Sequence, residues 1–325
     1  MRIVLAPMEG VVDHIVRDLL TQIGGIDQCV TEFVRVSDQL LPPRVFYRLC
    51  PELHHEGKTP NGVPVALQLL GGKANPMAEN AARAAELGAP SIDINFGCPA
   101  KTVNRHDGGA SLLREPKRLY EITHAIRQAV PDTTPVTAKI RLGFEDKTLA
   151  IENAQALEEA GAKEITVHGR TKMDGYKPPA YWDWIGKIRE NLKINVIANG
   201  EIWSIANYQQ CRKESGSQDV MIGRGIIRYP DLALRIKNYQ LNQASEPAID
   251  VFDVLLRFFH SSQQQNKSKR YLCDRTKQWT SLLGIGHPAA MELFHTIKRE
   301  IDAEVIYRHL LNAKSRVQDS DRMAT

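Results

Sequence analysis

Seven polar side chains able to do chemistry share one kind of position. Gln68, Asn95, Cys98, Lys139, His168, Asn199 and Arg224 each lie at or just past the end of a short apolar run. Cys98 sits in Gly97-Cys98-Pro99, where the proline fixes the backbone and the thiol can be aimed. It can act as a nucleophile, act as a general acid, or simply pack. A nucleophile wants a base; none is close in sequence, although His168 could be close in space. General-acid work suits a thiol whose pKa is not lowered. Lys139 ends a buried run, and a buried ammonium is costly unless paired or working. It could meet the electron-rich edge of a flavin, hold a phosphate or form a Schiff base; the plainer reading is a solvated strand end. Gln68 both donates and accepts, which suits a pyrimidine edge.

Two glycine turns add an anion-binding pattern. Asn199-Gly200-Glu201 and Gly223-Arg224-Gly225 follow the last two apolar runs. Such turns expose backbone N–H groups, the next helix start favours negative charge, and Arg224 is a matching cation. Ordinary turn glycines are the bland alternative, but the pair falls where a phosphate is often held in a parallel barrel.

The elements that must position these residues alternate. Eight strand-like runs are predicted at Ile3–Ala6, Cys29–Thr31, Val65–Leu69, Ser91–Ile94, Val136–Ile140, Glu164–Val167, Asn195–Ala198 and Asp219–Ile222. Helical patterns fall between them at His14–Ile23, Pro76–Leu87, Pro116–Ala129, Thr148–Ala160, Tyr181–Asn191 and Ile205–Cys211. Repeated βα units imply a parallel sheet, and eight units fit a closed (β/α)8 TIM barrel. No GxGxxG follows the first run, which speaks against an open dinucleotide fold. A proline-rich excursion separates the second and third runs. The barrel is expected over 1–243, a linker at Ser245–Pro247, an all-α helical-bundle domain over 248–315 and a frayed tail over 316–325. Its four helices are predicted at Val251–Gln265, Ser268–Leu283, Pro288–Ile301 and Ala303–Ala313.

Composition sets bounds on the rest. The 325 residues are 42% hydrophobic and 25% charged, which excludes disordered, collagen-like and disulfide-dense classes. With 42 basic and 38 acidic residues the chain carries +4, compatible with an acidic partner without requiring one. Five cysteines show no CxxC or metal-ligand spacing, which implies free thiols in a reducing compartment and no metal. No apolar run is long enough to span a bilayer, and MRIVLAPMEG does not read as a signal peptide. A cytoplasmic location with no membrane association is the expectation, and nothing in the sequence implies a protein partner.

Taken together, Ala6-Pro7-Met8-Glu9-Gly10, Asp93-Ile94-Asn95-Phe96-Gly97-Cys98-Pro99, His168-Gly169-Arg170-Thr171 with Tyr176, Asn199-Gly200-Glu201 and Ile222-Gly223-Arg224-Gly225 resemble the tRNA-dihydrouridine synthase family. Thr31-Glu32-Phe33-Val34-Arg35 and Arg275-Thr276-Lys277-Gln278-Trp279 resemble its bacterial C-type branch, which acts on uridine 16 of the D-loop. The resemblance implies FMN-dependent reduction of a uridine C5=C6 bond in tRNA. NADPH would reduce the flavin, flavin N5 would give hydride to C6, and Cys98 would protonate C5. It further implies FMN contacts from Pro7, Met8, Glu9, Gln68, Lys139, His168, Asn199, Gly200, Glu201, Gly223 and Arg224. By the same resemblance Arg35, Asn95, Arg141, Tyr176, Arg275, Lys277 and Trp279 would meet the tRNA. The chain departs from the family pattern in a bulky Asn104–Ala110 loop and in Glu9, where a small residue is more common.

The residues support this partner independently. From Arg257 to Lys277 there are six basic residues and one acid, Asp274, a cluster suited to phosphates. Yet Leu272, Thr276, Trp279 and Leu283 share one helical face, so Trp279 could be core. A small-molecule flavin oxidoreductase on the same barrel is the main alternative; it leaves the basic helices unexplained. A Schiff-base aldolase through Lys139 leaves Cys98 unexplained as well. An RNA chaperone with a vestigial site leaves both residues idle.

Overall fold

The computed structural model describes residues 1–243 and 249–323, with side chains as far as Arg316. The expected linker at Ser245–Pro247 lies outside the described residues. The chain forms two compact units, Met1–His14 with Ile26–Gly223, and Ile15–Gly25 with Arg224–Thr325.

The nine strands among the described residues lie in the first unit: β1 (Ile3–Leu5), β2 (Gln28–Val30), β3 (Val34–Arg35), β4 (Val65–Leu70), β5 (Ile92–Asn95), β6 (Val136–Arg141), β7 (Glu164–His168), β8 (Asn195–Asn199) and β9 (Val220–Ile222). Every pairing is parallel. The order runs β2-β1-β9-β8-β7-β6-β5-β4, and pairing of β2 with β4 closes the ring. All eight predicted barrel strands are present. The two-residue β3 is additional; it pairs only with the end of β4, and its brevity leaves no periodicity to read. β4 is buried on both faces because helices cover the outside and side chains fill the inside. Val4, Ala6, Val30, Ala66, Ile197 and Met221 form one such cluster of buried apolar residues.

The helices in chain order are α1 (His14–Ile23), α2 (Pro43–Leu49), α3 (Ala74–Glu86), α4 (Lys101–Arg105), α5 (Pro116–Ala129), α6 (Ala150–Glu159), α7 (Trp182–Glu190), α8 (Ile205–Ser215), α9 (Arg224–Arg228), α10 (Leu232–Gln240), α11 (Val251–Gln264), α12 (Lys269–Gly284), α13 (Pro288–Ile297) and α14 (Ala303–Met323). α8 shows how sequence sets an element: Ser204 caps its start by accepting from Asn207 N, and Gly216 ends it at φ 64°. The short α2, α4 and α9, and α10, were not legible as periodic patterns.

In the second unit α11 to α14 pack around Phe258, Phe259, Leu283, Ile297, Ile306 and Leu310, all fully buried. Asp250 caps α11 and Ser268 caps α12 through their side-chain oxygens. α14 extends to Met323, ten residues past the predicted end at Ala313. No described helix is long and apolar enough to cross a membrane.

At the strand starts, opposite the polar rim, Arg2 gathers Asp219 and Glu164. Asp219 accepts from Arg2 N at 2.7 Å, Nε at 2.9 Å and Nη2 at 2.8 Å, and from Asn195 Nδ2 at 3.0 Å. Burial pushes the Asp219 carboxyl up, but the Arg2 hydrogen bonds outweigh it and hold the group below its ordinary value. A depressed folded pKa contributes stability above the unfolded value and loses it as pH falls through the folded value. Asp219→Asn is therefore expected to cost about 1–2 kcal/mol at neutral pH, discounted because Arg2 is partly exposed. Urea melts at neutral and acid pH check this: the deficit should shrink in acid.

Candidate active site

The sheet register places the rim residues in rows. Arg141 pairs with His168, His168 with Asn199, and Asn199 with Met221. One step deeper, Asn95 pairs with Lys139; deeper still, Gln68 pairs with Asp93. Side chains at i and i+2 share a face, so Asp93 with Asn95 and Lys139 with Arg141 point the same way. Gln68, Asn95, Lys139, His168 and Asn199 of the predicted rim, with Arg141, thus share one surface at the C-terminal ends of β4 to β8.

A buried polar chain crosses this surface. Thr137 Oγ1 donates to Asp93 Oδ1 at 2.6 Å, and Gln68 Nε2 donates to Asp93 Oδ2 at 2.7 Å. Asn95 Nδ2 donates to Gln68 Oε1 at 2.8 Å. Asn95 Oδ1 accepts from Gly97 N at 3.0 Å and Cys98 N at 2.9 Å. Thr31 Oγ1 holds the Gln68 backbone N–H at 3.0 Å. Asp93 and Thr31 stand in the quoted motifs without an assigned role, and Thr137 stands in none. An acid inside an otherwise apolar strand, two residues before Asn95, was the available signal.

The loop after β5 carries the thiol, and backbone bonds fix it. Asn104 Nδ2 and Ala110 N donate to Cys98 O at 2.8 and 3.0 Å. Arg118 grips Asp107 through two nitrogens, at 2.8 and 2.6 Å, and Gly72 O at 2.8 Å. The bulky Asn104–Ala110 loop is therefore well tethered. Cys98 is the only one of the five cysteines that is not buried. Burial raises its thiol pKa, with Glu9 adding to that; a backbone N–H from Ala100 and the nearby Arg141 and Lys139 charges oppose. The net rise keeps the thiol protonated at neutral pH.

Lys139 is half-buried, and no described carboxylate hydrogen-bonds its ammonium. Burial, then the charge of Arg141, lowers its pKa to about 8, against the pull of Asp93 and Cys98. Arg141 is more buried than its neighbour. Its Nε donates to Gly97 O at 2.9 Å, and its Nη1 to Thr171 O at 3.0 Å and Gly175 O at 2.9 Å. Arg141 thus laces the Cys98 loop to the loop after β7. The exposed Tyr176 ring lies 5.2 Å from this guanidinium and edge-on to His168 at 6.2 Å.

Two rim glycines sit where a side chain would crowd the protein. Gly200 has φ 115°, and a Cβ there would come within 3.4 Å of His168 Nε2. A Cβ on Gly223 would meet Ala6 Cβ and Met8 Sδ, both at 3.3 Å. Asn199 donates to Met221 O at 2.8 Å. Glu201 pairs with the fully buried Arg170 and accepts from Trp203 Nε1 at 2.8 Å, so its carboxylate is committed to the protein. Pro7 and Met8 are half-buried; Glu9 is exposed beyond them. Arg35, at the end of β3, is exposed and reaches Thr102 O at 3.5 Å.

The predicted residues of the second unit divide. Arg224 opens α9 and is exposed. Trp279 is core: it is 4% exposed, its indole N–H donates to Ile227 O at 3.2 Å, and it meets Phe258 edge-on. The shared face of Leu272, Thr276, Trp279 and Leu283 accounts for this. Lys277 is also occupied, donating to Glu300 O at 2.9 Å. Arg275 bonds Gln278, one turn on in α12. Within α12, Lys269 and Arg270 are the exposed cations, and Arg270 Nε lies 3.5 Å from Asp274 Oδ2.

Comparison with known proteins adds to this geometry. The profile of the family described as dihydrouridine synthase matches residues 4–317. A tRNA-dihydrouridine(16) synthase of Pseudomonas putida is 48% identical over 98% of this chain and 99% of its own length. The protein of the same name from Shewanella oneidensis is 51% identical over 97% and 98%. Among solved structures, a variant of NCR from Zymomonas mobilis superposes with a TM-score of 0.52 at 15% identity, covering 75% of this chain and 88% of that one. A 2-naphthoyl-CoA reductase gives 0.56 at 12% identity, covering 74% and 50%. At such identities these two structures speak for the fold alone.

Proposed function

We infer for this chain, which belongs to the dihydrouridine synthase family, that it reduces the C5=C6 bond of uridine 16 in the tRNA D-loop. Full-length similarity to two synthases named for that position carries the inference. Cytoplasmic tRNA is the substrate, in a compartment that keeps five thiols free.

The rim fits FMN. A side chain at Gly200 or Gly223 would crowd the rim, and Lys139 offers a cation with no described carboxylate bonded to it. Lys139 and Gln68 would face the electron-rich pyrimidine edge. His168, Gly200 and Gly223 would hold the phosphate end. When bound, FMN recharged by NADPH supplies the hydride for uridine C6.

The protein contributes position and a proton. A uridine in folded tRNA must leave its stack to enter a barrel mouth. Tyr176, exposed beside His168, offers a ring to the extruded base or its neighbour. Arg141 acts as the brace that holds the two flanking loops, rather than as an exposed phosphate ligand. Cys98, neutral at pH 7, delivers its proton to C5.

On α12, phosphate contacts fall to the exposed Lys269 and Arg270, because Trp279 and Lys277 are occupied. Replacing both by Glu is expected to weaken tRNA binding about tenfold at moderate salt and to flatten the salt dependence by about two charges. Filter binding across a salt series reads both. Unchanged affinity would move docking off the start of α12.

Mass mapping of unmodified tRNA after incubation with protein, FMN and NADPH tests the function. Two added hydrogens on uridine 16 are expected. Addition at another uridine would change the position; no addition, with NADPH still bleaching a bound flavin, would favour a small-molecule substrate.

A further inference from the structure

The hydrogen-bond chain from Thr137 to Cys98 has ends of fixed sense. Asp93 offers Gln68 an acceptor oxygen; burial raises its carboxyl pKa, and the O–H of a protonated form would turn to Thr137, while the backbone N–H groups of Gly97 and Cys98 can only donate. Exactly two amides, those of Gln68 and Asn95, lie between these ends. With an acceptor at one end and donors at the other, each amide has one allowed orientation. Gln68 must turn Nε2 to Asp93, so it shows Oε1 to Asn95. Asn95 must then donate to Gln68 and turn its oxygen to the loop. Gln68, Asp93 and Asn95 are all buried, so water cannot readily replace a lost link.

We propose that Asp93 is a positioning residue for Cys98, acting through the orientations it imposes on Gln68 and Asn95. Its carboxylate has no bond to the thiol or to any loop atom among the described contacts. Its effect is transmitted: it selects the Asn95 orientation that accepts from two consecutive loop N–H groups. Thr137 fills the second Asp93 oxygen, which leaves the acid no alternative partner on that side. Without an acceptor at position 93 the Gln68 NH2 is left buried and unsatisfied, so Gln68 turns or shifts and no longer holds Asn95. The Asn95 oxygen that accepts from the two loop N–H groups is then held less firmly, and the loop that aims the thiol loses part of its anchor.

The consequence for turnover rests on Cys98 as proton donor; the placement of the thiol does not. Two readouts on the full-length protein as purified therefore separate the claims. One is the pH profile of Cys98 alkylation by iodoacetamide, located by peptide mass; the other cysteines are buried. The second is the single-turnover rate at saturating tRNA. Asp93→Leu removes the acceptor at similar volume. It is expected to change the alkylation rate at least about threefold, to move the thiol's midpoint down toward that of an exposed thiol, and to slow turnover about 10–100-fold.

Asp93→Asn should rescue both readouts to within about twofold, because its oxygen still accepts from Gln68 while its NH2 donates to Thr137 Oγ1. Wild-type alkylation in a folded Asp93→Leu protein would overturn the proposal. So would an Asp93→Asn protein as impaired as Asp93→Leu, since charge rather than hydrogen-bond sense would then be the cause. Should Asp93→Leu not fold, Gln68→Met cuts the same chain at its middle and must give the same alkylation shift; a wild-type profile there overturns the proposal too. If Cys98→Ala turned over normally, the proton-donor reading would fall, while the alkylation profiles would still decide the role of Asp93.

Discussion

Replacing Cys98 by alanine is expected to lower turnover by about 10²–10⁴-fold, the usual contribution of a positioned general acid, while flavin absorbance and tRNA affinity stay as they are. The large effect follows from the state of the thiol. Burial holds the Cys98 pKa above its ordinary value, and the opposing charges of Arg141 and Lys139 do not cancel that. The group is thus a protonated acid at pH 7, not a thiolate. The sign of the pH dependence follows: the rate should hold through neutrality and fall as pH rises through the raised thiol value. The small effect on binding follows from how the loop is held. Its anchors use the Cys98 backbone N–H and carbonyl, which alanine retains, with Asn95, Asn104 and Ala110 as partners. Mass-based turnover, absorbance and filter binding on one preparation check the three parts. A rate within about threefold of wild type would remove Cys98 from proton delivery, since a general acid is worth far more.

The barrel was legible because its cause is periodic. Short β-branched runs alternating with amphipathic helices leave few topologies other than a closed parallel sheet, and the strand-end rule then picks out the rim. The register bears this out for Gln68, Asn95, Lys139, Arg141, His168 and Asn199, which rise through successive rows of one face. What the sequence hid is direction and occupancy. Arg141 and Lys139 look equivalent in a period-two pattern, yet one spends its donors on three carbonyls and the other bonds no carboxylate. Glu201 reads as a ligand but is claimed by Arg170. In α12, a basic run and an apolar stripe interleave, and only packing reveals that Trp279 belongs to the stripe and that Glu300 O takes the Lys277 ammonium. Asp93 opens a motif yet carries no role in it, because its contacts run through other residues' amides.

The remaining large effect concerns Lys139. Its ammonium sits where burial and Arg141 both disfavour charge, yet at a pKa of about 8 it remains mostly protonated at pH 7. Asp93 attracts it, but both Asp93 oxygens already accept from Gln68 and Thr137. The site therefore holds a strained cation before any ligand arrives, and an electron-rich edge placed beside it gains more than it would in water. Lys139→Gln keeps a hydrogen-bond donor and removes the charge. Turnover should fall about 10²-fold, equivalent to about 3 kcal/mol of lost stabilisation. The wild-type protein should bind FMN less tightly as pH rises through about 8, because the neutral amine takes over there. Lys139→Arg should lose that pH dependence, since a guanidinium does not deprotonate in this range, although its fork fits the space less well. Titrating flavin fluorescence against pH in all three proteins separates charge from shape. If the pH dependence survives in Lys139→Arg, the titrating group is elsewhere on the rim; if Lys139→Gln binds and turns over as wild type does, the charge has no part in holding the flavin edge.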